Sequence, residues 1–93
     1  MHSFNELYHR VGAEILHRPL VQSDIYTALL DLQESVLKIF QMVLNDQQDG
    51  ISSRVATAII SVFCVMHELK VENPERCVLD KMRELRQELS ANL

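Results

Sequence analysis

Cys64 and His67 are the side chains that come nearest to a catalytic arrangement in this sequence. A cysteine nucleophile needs a neighbouring base, and His67 lies three residues further along the same predicted helix. Cys64 is embedded in apolar residues, however, and such surroundings favour a protonated, inert thiol. Cys77 has no ligand-like spacing to Cys64. We therefore expect two reduced, buried thiols rather than a nucleophile, a metal site or a disulfide.

Other catalytic motifs are absent from the sequence. It contains no CxxC or HExxH pair and no glycine-rich phosphate loop. Phosphate chemistry would instead need clustered carboxylates that hold Mg²⁺, an ion that prefers hard oxygen ligands.

A central helix, predicted at about residues 52–70, must position any polar site. Between Val55 and Met66 only Thr57 and Ser61 interrupt an apolar run, and a helix that is apolar nearly all round has to be surrounded. A narrow stripe of small or polar residues follows one side of it: Ser53, Thr57, Ser61, Cys64 and Glu68. Such hydroxyls bond to carbonyl groups four residues earlier and let a neighbouring helix approach. The alternative is that the stripe lines a ligand cavity.

Three further helices are predicted, at about residues 3–17, 24–45 and 74–90, and each of the four has candidate N-caps. These are Ser3 for the first, Ser23 or Asp24 for the second, Asp49, Ser52 or Ser53 for the central helix, and Asn73 before Pro74 for the last. The second helix carries two apolar stripes, more than one neighbour would cover. The last has an apolar seam in 4-3-4 spacing: Val78, Met82, Leu85 and Leu89.

Composition sets the fold class and excludes several functions. The 93 residues are 47% hydrophobic with only two Gly and two Pro, which favours an all-α, four-helix bundle-like single domain over residues 1–93. A chain of this length buries a modest core, so we expect a dimer. The net charge of −4 argues against nucleic-acid binding. With no signal peptide, and an apolar run shorter than the roughly 20 residues of a membrane span, we expect a cytoplasmic protein without membrane contact.

Three local strings resemble the MazG-like all-α nucleotide pyrophosphohydrolases. LQESVLKIF at residues 32–40 resembles the family helix with an EExxE motif, SRVATAII at 53–60 resembles the ExxD helix that follows, and DKMR at 80–83 resembles the closing stretch. Together they span about residues 25–86. The resemblance implies a bundle whose carboxylates hold Mg²⁺ for cleavage of a nucleoside triphosphate.

The chain departs from that pattern at four of its five ligand positions. Glu34 is the one retained carboxylate, while Ser35, Lys38, Arg54 and Thr57 occupy the others. Two cations would repel a divalent metal, so the resemblance implies no working metal site, and Glu34 is the only family ligand left. We predict a polar cluster or anion site at Glu34, Lys38, Arg54, Thr57 and Ser61. It forms either an internal ion-pair network or a place where Lys38 and Arg54 receive an anion.

Three functions follow as hypotheses. The first is a non-catalytic interaction protein that acts as a homo-oligomer, with no cofactor and with an unknown protein partner. The second is a divergent Mg²⁺-dependent nucleoside triphosphate pyrophosphohydrolase that recruits replacement ligands from Asp31, Glu34, Asp46 or Asp49. The third is a small inhibitor or adaptor of the kind that mobile elements encode.

Overall fold

Four α-helices make up this computed structural model, which describes residues 3–16 and 24–91. They are α1 (Phe4–Val11), α2 (Ile25–Leu44), α3 (Ile51–Glu68) and α4 (Pro74–Ala91), and α1 runs on into a π-helical turn, Gly12–Leu16. The described ranges contain no strand. The predicted all-α class is confirmed, and the predicted ends of α2, α3 and α4 lie within two residues of the observed ones. The predicted end of the first helix, at about residue 17, lies outside the described residues.

Three of the predicted N-caps form. Ser3 Oγ accepts from the backbone N–H of Glu6 at 3.1 Å, and Asp24 Oδ1 accepts from that of Thr27 at 2.8 Å. Ser23, the other candidate for α2, lies outside the described residues. At the start of α4, Asn73 Oδ1 accepts from the backbone N–H of Arg76 at 3.0 Å. Each cap satisfies a donor that the first helical turn leaves without a partner.

The predicted caps of α3 are wrong. Gly50 holds the N-cap position with φ of 82°, and no side chain caps this end. A residue with positive φ reverses the chain after the loop that follows α2, and glycine adopts that conformation without steric cost. Helix α3 therefore begins at Ile51, so that Asp49 precedes the cap while Ser52 and Ser53 already lie inside the first turn.

Helices α2 and α3 form the closest helix pair, and small side chains line their contact. Ala28 and Ser61 are buried, and the Oγ atoms of Ser35 and Ser61 lie 3.5 Å apart. Thr57 Oγ1 donates to the carbonyl of Ser53 at 3.0 Å, as predicted for a hydroxyl stripe. The stripe thus lets the two helices approach each other.

The buried core lies between α1 and α3. Tyr8 and Val11 pack against Phe63, and the rings of Phe4 and Phe63 meet edge-on with centroids 5.0 Å apart. Tyr8 also donates from its hydroxyl to the carbonyl of Val71 at 2.7 Å, which ties α1 to the segment before α4.

Two asparagines join α1 to the first turn of α4. Asn5 Nδ2 donates to Asn73 Oδ1 at 2.9 Å, while Asn5 Oδ1 accepts from the backbone N–H of Glu75 at 3.1 Å. Pro74 is fully buried beside this pair. The start of α4 is therefore fixed by α1 as well as by its own cap.

A single copy does not surround the central helix, for which we expect cover from the other three helices and from a second copy together. Ile59 of α3 remains 50% exposed, and Phe40 of α2 58%. The accessible surface is 7558 Å², against about 5,500 Å² for a compact monomer of this mass. The radius of gyration of 15.6 Å likewise exceeds the roughly 12 Å of a compact chain of this length.

Helix α3 also meets the length and composition limits of a candidate membrane span. Over Ile51–Glu68 its mean hydropathy is 1.3, and 11% of this stretch is buried. Its 18 residues reach about 27 Å, just short of the roughly 30 Å hydrocarbon core of a bilayer. A core helix of a soluble protein meets the same limits of length and composition, and the absence of membrane contact stays a prediction.

Candidate functional site

The predicted polar cluster converges in space. All five of its residues, Glu34, Lys38, Arg54, Thr57 and Ser61, line one groove of about 260 Å³ between α2 and α3, together with Asp31 and Ser35. Helix periodicity places the α2 members on one face, and the hydroxyl stripe of α3 provides the opposite wall. We call this the polar groove.

Within the polar groove the charges are only partly paired. Lys38 Nζ lies 3.0 Å from Glu34 Oε1, one helical turn away, and both side chains are more than 40% exposed. Such a solvated pair contributes about 0.3–0.5 kcal/mol. The Arg54 guanidinium has no ion-pair or hydrogen-bond partner among the described residues. The internal ion-pair network is thus limited to Glu34 and Lys38, and Arg54 is left open to solvent or to an anion.

A second groove continues from the same two cations. It has a volume of about 540 Å³, shares Lys38 and Arg54 with the polar groove, and extends past Asn45 at the end of α2 to Asp49 and Gly50 at the start of α3. The partial positive charge of an uncapped helix N-terminus adds to the field of the two cations, while the Asp49 carboxylate opposes it. Two cations, Lys38 and Arg54, and three carboxylates, Asp31, Glu34 and Asp49, line the two grooves together, so the field is mixed.

The carboxylates required for a metal site are not gathered. In residues 3–16 and 24–91, no group of three or more His, Cys, Asp or Glu side chains could hold a metal ion. Asp31 and Glu34 line the polar groove, whereas Asp46 and Asp49 lie together on the loop after α2. Glu34 is moreover engaged by Lys38. The four replacement ligands considered for a divergent pyrophosphohydrolase are therefore divided between two places.

His67 is not positioned as a base for Cys64. Its Nε2 lies 2.6 Å from the carbonyl oxygen of Tyr8, which can only accept, so Nε2 carries the proton of this hydrogen bond. Its imidazole also stacks on the Tyr8 ring, with centroids 3.8 Å apart and planes inclined by 5°. This histidine therefore joins α3 to α1.

The two cysteines lie in different surroundings. Burial raises the pKa of the Cys64 thiol, and the carboxylates of Asp31 and Glu68 raise it further. Cys77 is exposed, so the prediction that both thiols are buried is wrong for this one. It lies on α4 just beyond the turn that α1 contacts, where no other described helix covers it. Both are free thiols, and the raised pKa of the Cys64 thiol is the opposite of what a cysteine nucleophile requires.

An apolar groove of about 370 Å³ separates the first helix from α3. Leu7, Val11 and Ile15 line one side, and Ile59, Ile60 and Phe63 line the other. Sequence reasoning missed this groove because both walls read as ordinary core positions. The predicted cluster also omitted Asp31 and Ser35, which the sequence had indicated only as a possible replacement ligand and as a family ligand position, respectively; both line the polar groove.

Comparison with known proteins found no matching family model, no matching curated protein and no matching solved structure. The similarity to MazG-like pyrophosphohydrolases therefore rests on the three sequence strings alone and stays a prediction.

Proposed function

We propose that this protein is a non-catalytic helical interaction protein that acts as a homo-oligomer and offers further surface to a protein partner. The observation that carries the proposal is the exposure of large apolar side chains along both helices of the α2–α3 pair. Those exposed by more than 40% are Tyr26, Leu29, Leu30, Val36, Leu37, Phe40, Val43, Leu44, Val55 and Ile59. Soluble monomers rarely expose contiguous apolar patches of more than a few hundred Å².

The bundle prediction fits this proposal when it is applied to the assembly. One copy pairs α2 with α3 and packs α1 against α3, and α1 is the main neighbour of α4. A four-helix bundle would therefore be completed between copies, with the exposed apolar faces forming its interior. The excess accessible surface of about 2,000 Å² per copy exceeds the roughly 800 Å² that each partner buries in a stable interface of standard size.

Sedimentation velocity over about 1–100 μM tests the proposal. We expect a discrete species of two or more copies that dissociates reversibly on dilution. A strictly monomeric protein over this range would contradict self-association, and a continuous distribution of sizes would indicate aggregation instead. The same samples mixed with anionic vesicles test the alternative that a membrane covers the apolar faces of α2 and α3. Flotation of the protein with the vesicles would support that alternative.

One observation supports the second hypothesis, a divergent Mg²⁺-dependent pyrophosphohydrolase. All five metal-ligand positions of the family pattern line the same groove, and Asp31 adds a second carboxylate beside Glu34. Incubation with a panel of nucleoside triphosphates and Mg²⁺, with pyrophosphate release as the readout, distinguishes the two functions. Release that Asp31→Asn and Glu34→Gln abolish would establish the enzyme. Absence of release, together with no Mg²⁺-dependent shift in Tm, would exclude it.

A further inference from the structure

Helix α4 is anchored only at its first turn. Pro74 is buried and Glu75 is half-buried, but every residue of the helix from Arg76 to Ala91 is exposed. An isolated helix of this length is marginally stable in water, because nucleation is costly and no tertiary contact offsets it. A partner along its length would therefore stabilise α4.

The exposed apolar residues of α4 form a regular seam. Val78, Met82, Leu85 and Leu89 follow the 4-3-4 spacing of alternating d and a positions in a heptad repeat, and their exposures run from 39% to 69%. A seam of this period packs best against another seam of the same period, because each knob then meets a hole.

We infer that two copies of this protein pair through α4 as an antiparallel two-stranded coiled coil about a two-fold axis. In this register Met82 lies opposite Leu85 of the second copy, and Val78 lies opposite Leu89. The inference rests on the self-association proposed above and adds a second contact between copies to it. The occupant of the α4 seam is thus a second α4, and this contact is separate from the one proposed for the α2–α3 faces.

Charges beside the seam favour the antiparallel orientation. Lys81 and Glu88 are both g positions, one heptad apart, and both are exposed. Antiparallel pairing sets g against g, so Lys81 of each copy faces Glu88 of the other, twice by symmetry. Parallel pairing would instead set Lys81 against Arg86 of the second copy. Two attractive pairs in one orientation and two repulsive pairs in the other select the antiparallel dimer.

A charge-exchange series, measured by sedimentation equilibrium at low salt, tests this pairing. Lys81→Glu or Glu88→Lys alone places two like-charge pairs in the dimer, and we expect its Kd to rise about tenfold. The double variant restores two attractive pairs and the original Kd. An equimolar mixture of the two single variants also restores it by forming a heterodimer. This rescue occurs only when the pairs lie between copies, and it requires both single variants to be folded.

Glu84→Gln is the matched control. Lys81 Nζ lies 3.4 Å from Glu84 Oε1 in the same helix, so this variant removes the partner of Lys81 without changing a residue that faces the second copy. We expect its Kd to equal that of the unmodified protein, with unchanged helicity by circular dichroism.

The outcomes separate this inference from the proposal on which it rests. A monomeric unmodified protein overturns both. A dimer whose Kd is the same in every variant overturns α4 pairing and leaves self-association through another face. Tighter association of Lys81→Glu overturns the antiparallel orientation, because only the parallel pairing gains an attractive contact with Arg86.

Discussion

His67 donates from Nε2 to the carbonyl oxygen of Tyr8 at 2.6 Å while its ring lies parallel to the Tyr8 ring. The same imidazole approaches Gly12 so closely that a Cβ there would lie 2.7 Å from His67 Cε1. The π-helical turn begins at this glycine. Insertion of a side chain beside the backbone ladder is a known cause of such irregular turns. His67 and Gly12 thus form one joint between α3 and α1.

Gly12→Ala tests that joint. The φ and ψ of Gly12 are right-handed helical, so alanine fits the backbone and would otherwise stabilise the helix. The clash with His67 should outweigh this gain, so that Gly12→Ala lowers the free energy of unfolding in urea by about 1–2 kcal/mol. In a His67→Ala background the clash is absent, and we expect the same substitution to be neutral or stabilising. Equal effects in both backgrounds would contradict the close approach.

Tyr8→Phe tests the hydrogen bond to Val71. Loss of the hydroxyl leaves that carbonyl without its donor and should cost about 1 kcal/mol at neutral pH. Burial raises the pKa of the Tyr8 phenol above 10, so the folded state favours the protonated form. The protonated Tyr8 phenol therefore contributes its full stabilisation of the folded state below pH 10, and this stabilisation is lost as pH rises through the folded pKa.

The measurement for Tyr8 is urea unfolding between pH 8 and 11 in a Tyr26→Phe background, which leaves a single tyrosine. We expect stability to fall at the alkaline end in the protein that keeps Tyr8, and to fall less steeply after Tyr8→Phe. Identical profiles would mean that Tyr8 is not buried as the structure places it.

Asp24 gives the start of α2 a pH dependence of the opposite sense. The backbone N–H of Thr27 donates to its carboxylate and lowers the pKa of the Asp24 carboxyl. The stabilisation is therefore present above the unfolded pKa, near 3.8, and is lost as pH falls through the lower folded pKa. Asn caps without titrating. In Asp24→Asn, the helicity measured by circular dichroism should therefore fall less as the pH is lowered. In Asp24→Ala, helicity should be lower at neutral pH as well.

The two thiols should differ in reactivity. Cys77 is exposed and Cys64 is half-buried with a raised pKa, so a disulfide reagent at pH 8 should modify Cys77 at least about tenfold faster. Cys77→Ser should leave only the slow phase, and Cys64→Ser only the fast one. In denaturant both rates should become equal. A fast phase that persists in Cys77→Ser would show that the α2–α3 pair opens readily at Cys64.

The sequence predicts those parts of this fold that depend on local chemistry. Asn73 before Pro74 marks the start of α4 because the amide, the fixed φ of proline and the first turn act within four residues. The polar groove was likewise predictable, since the 3.6-residue period sets Thr57 and Ser61 on one side of α3. Gly50 was not, because its positive φ depends on how the loop after α2 closes.

Exposure was the least predictable property. An apolar seam such as Val78 to Leu89 indicates that these residues pack against another surface. The same sequence pattern results whether that surface belongs to the same chain or to another one. Cys77 was predicted to be buried for this reason, and its exposure follows from the position of α4. The identity of what covers α3 was not predictable for the same reason, since its apolar faces specify burial without specifying the partner.

The contact between Asn5 and Asn73 lies at the first turn of α4, so a small change of angle there displaces the far end of the helix by a larger distance. About 24 Å of helix separates Asn73 from Leu89, so a tilt of about 10° at the pivot moves the far end by about 4 Å, nearly the rise of one turn. The amides of Asn5 and Asn73 therefore determine the direction in which α4 leaves the rest of the protein. One hydrogen bond between two side chains and one between a side chain and the backbone fix that direction.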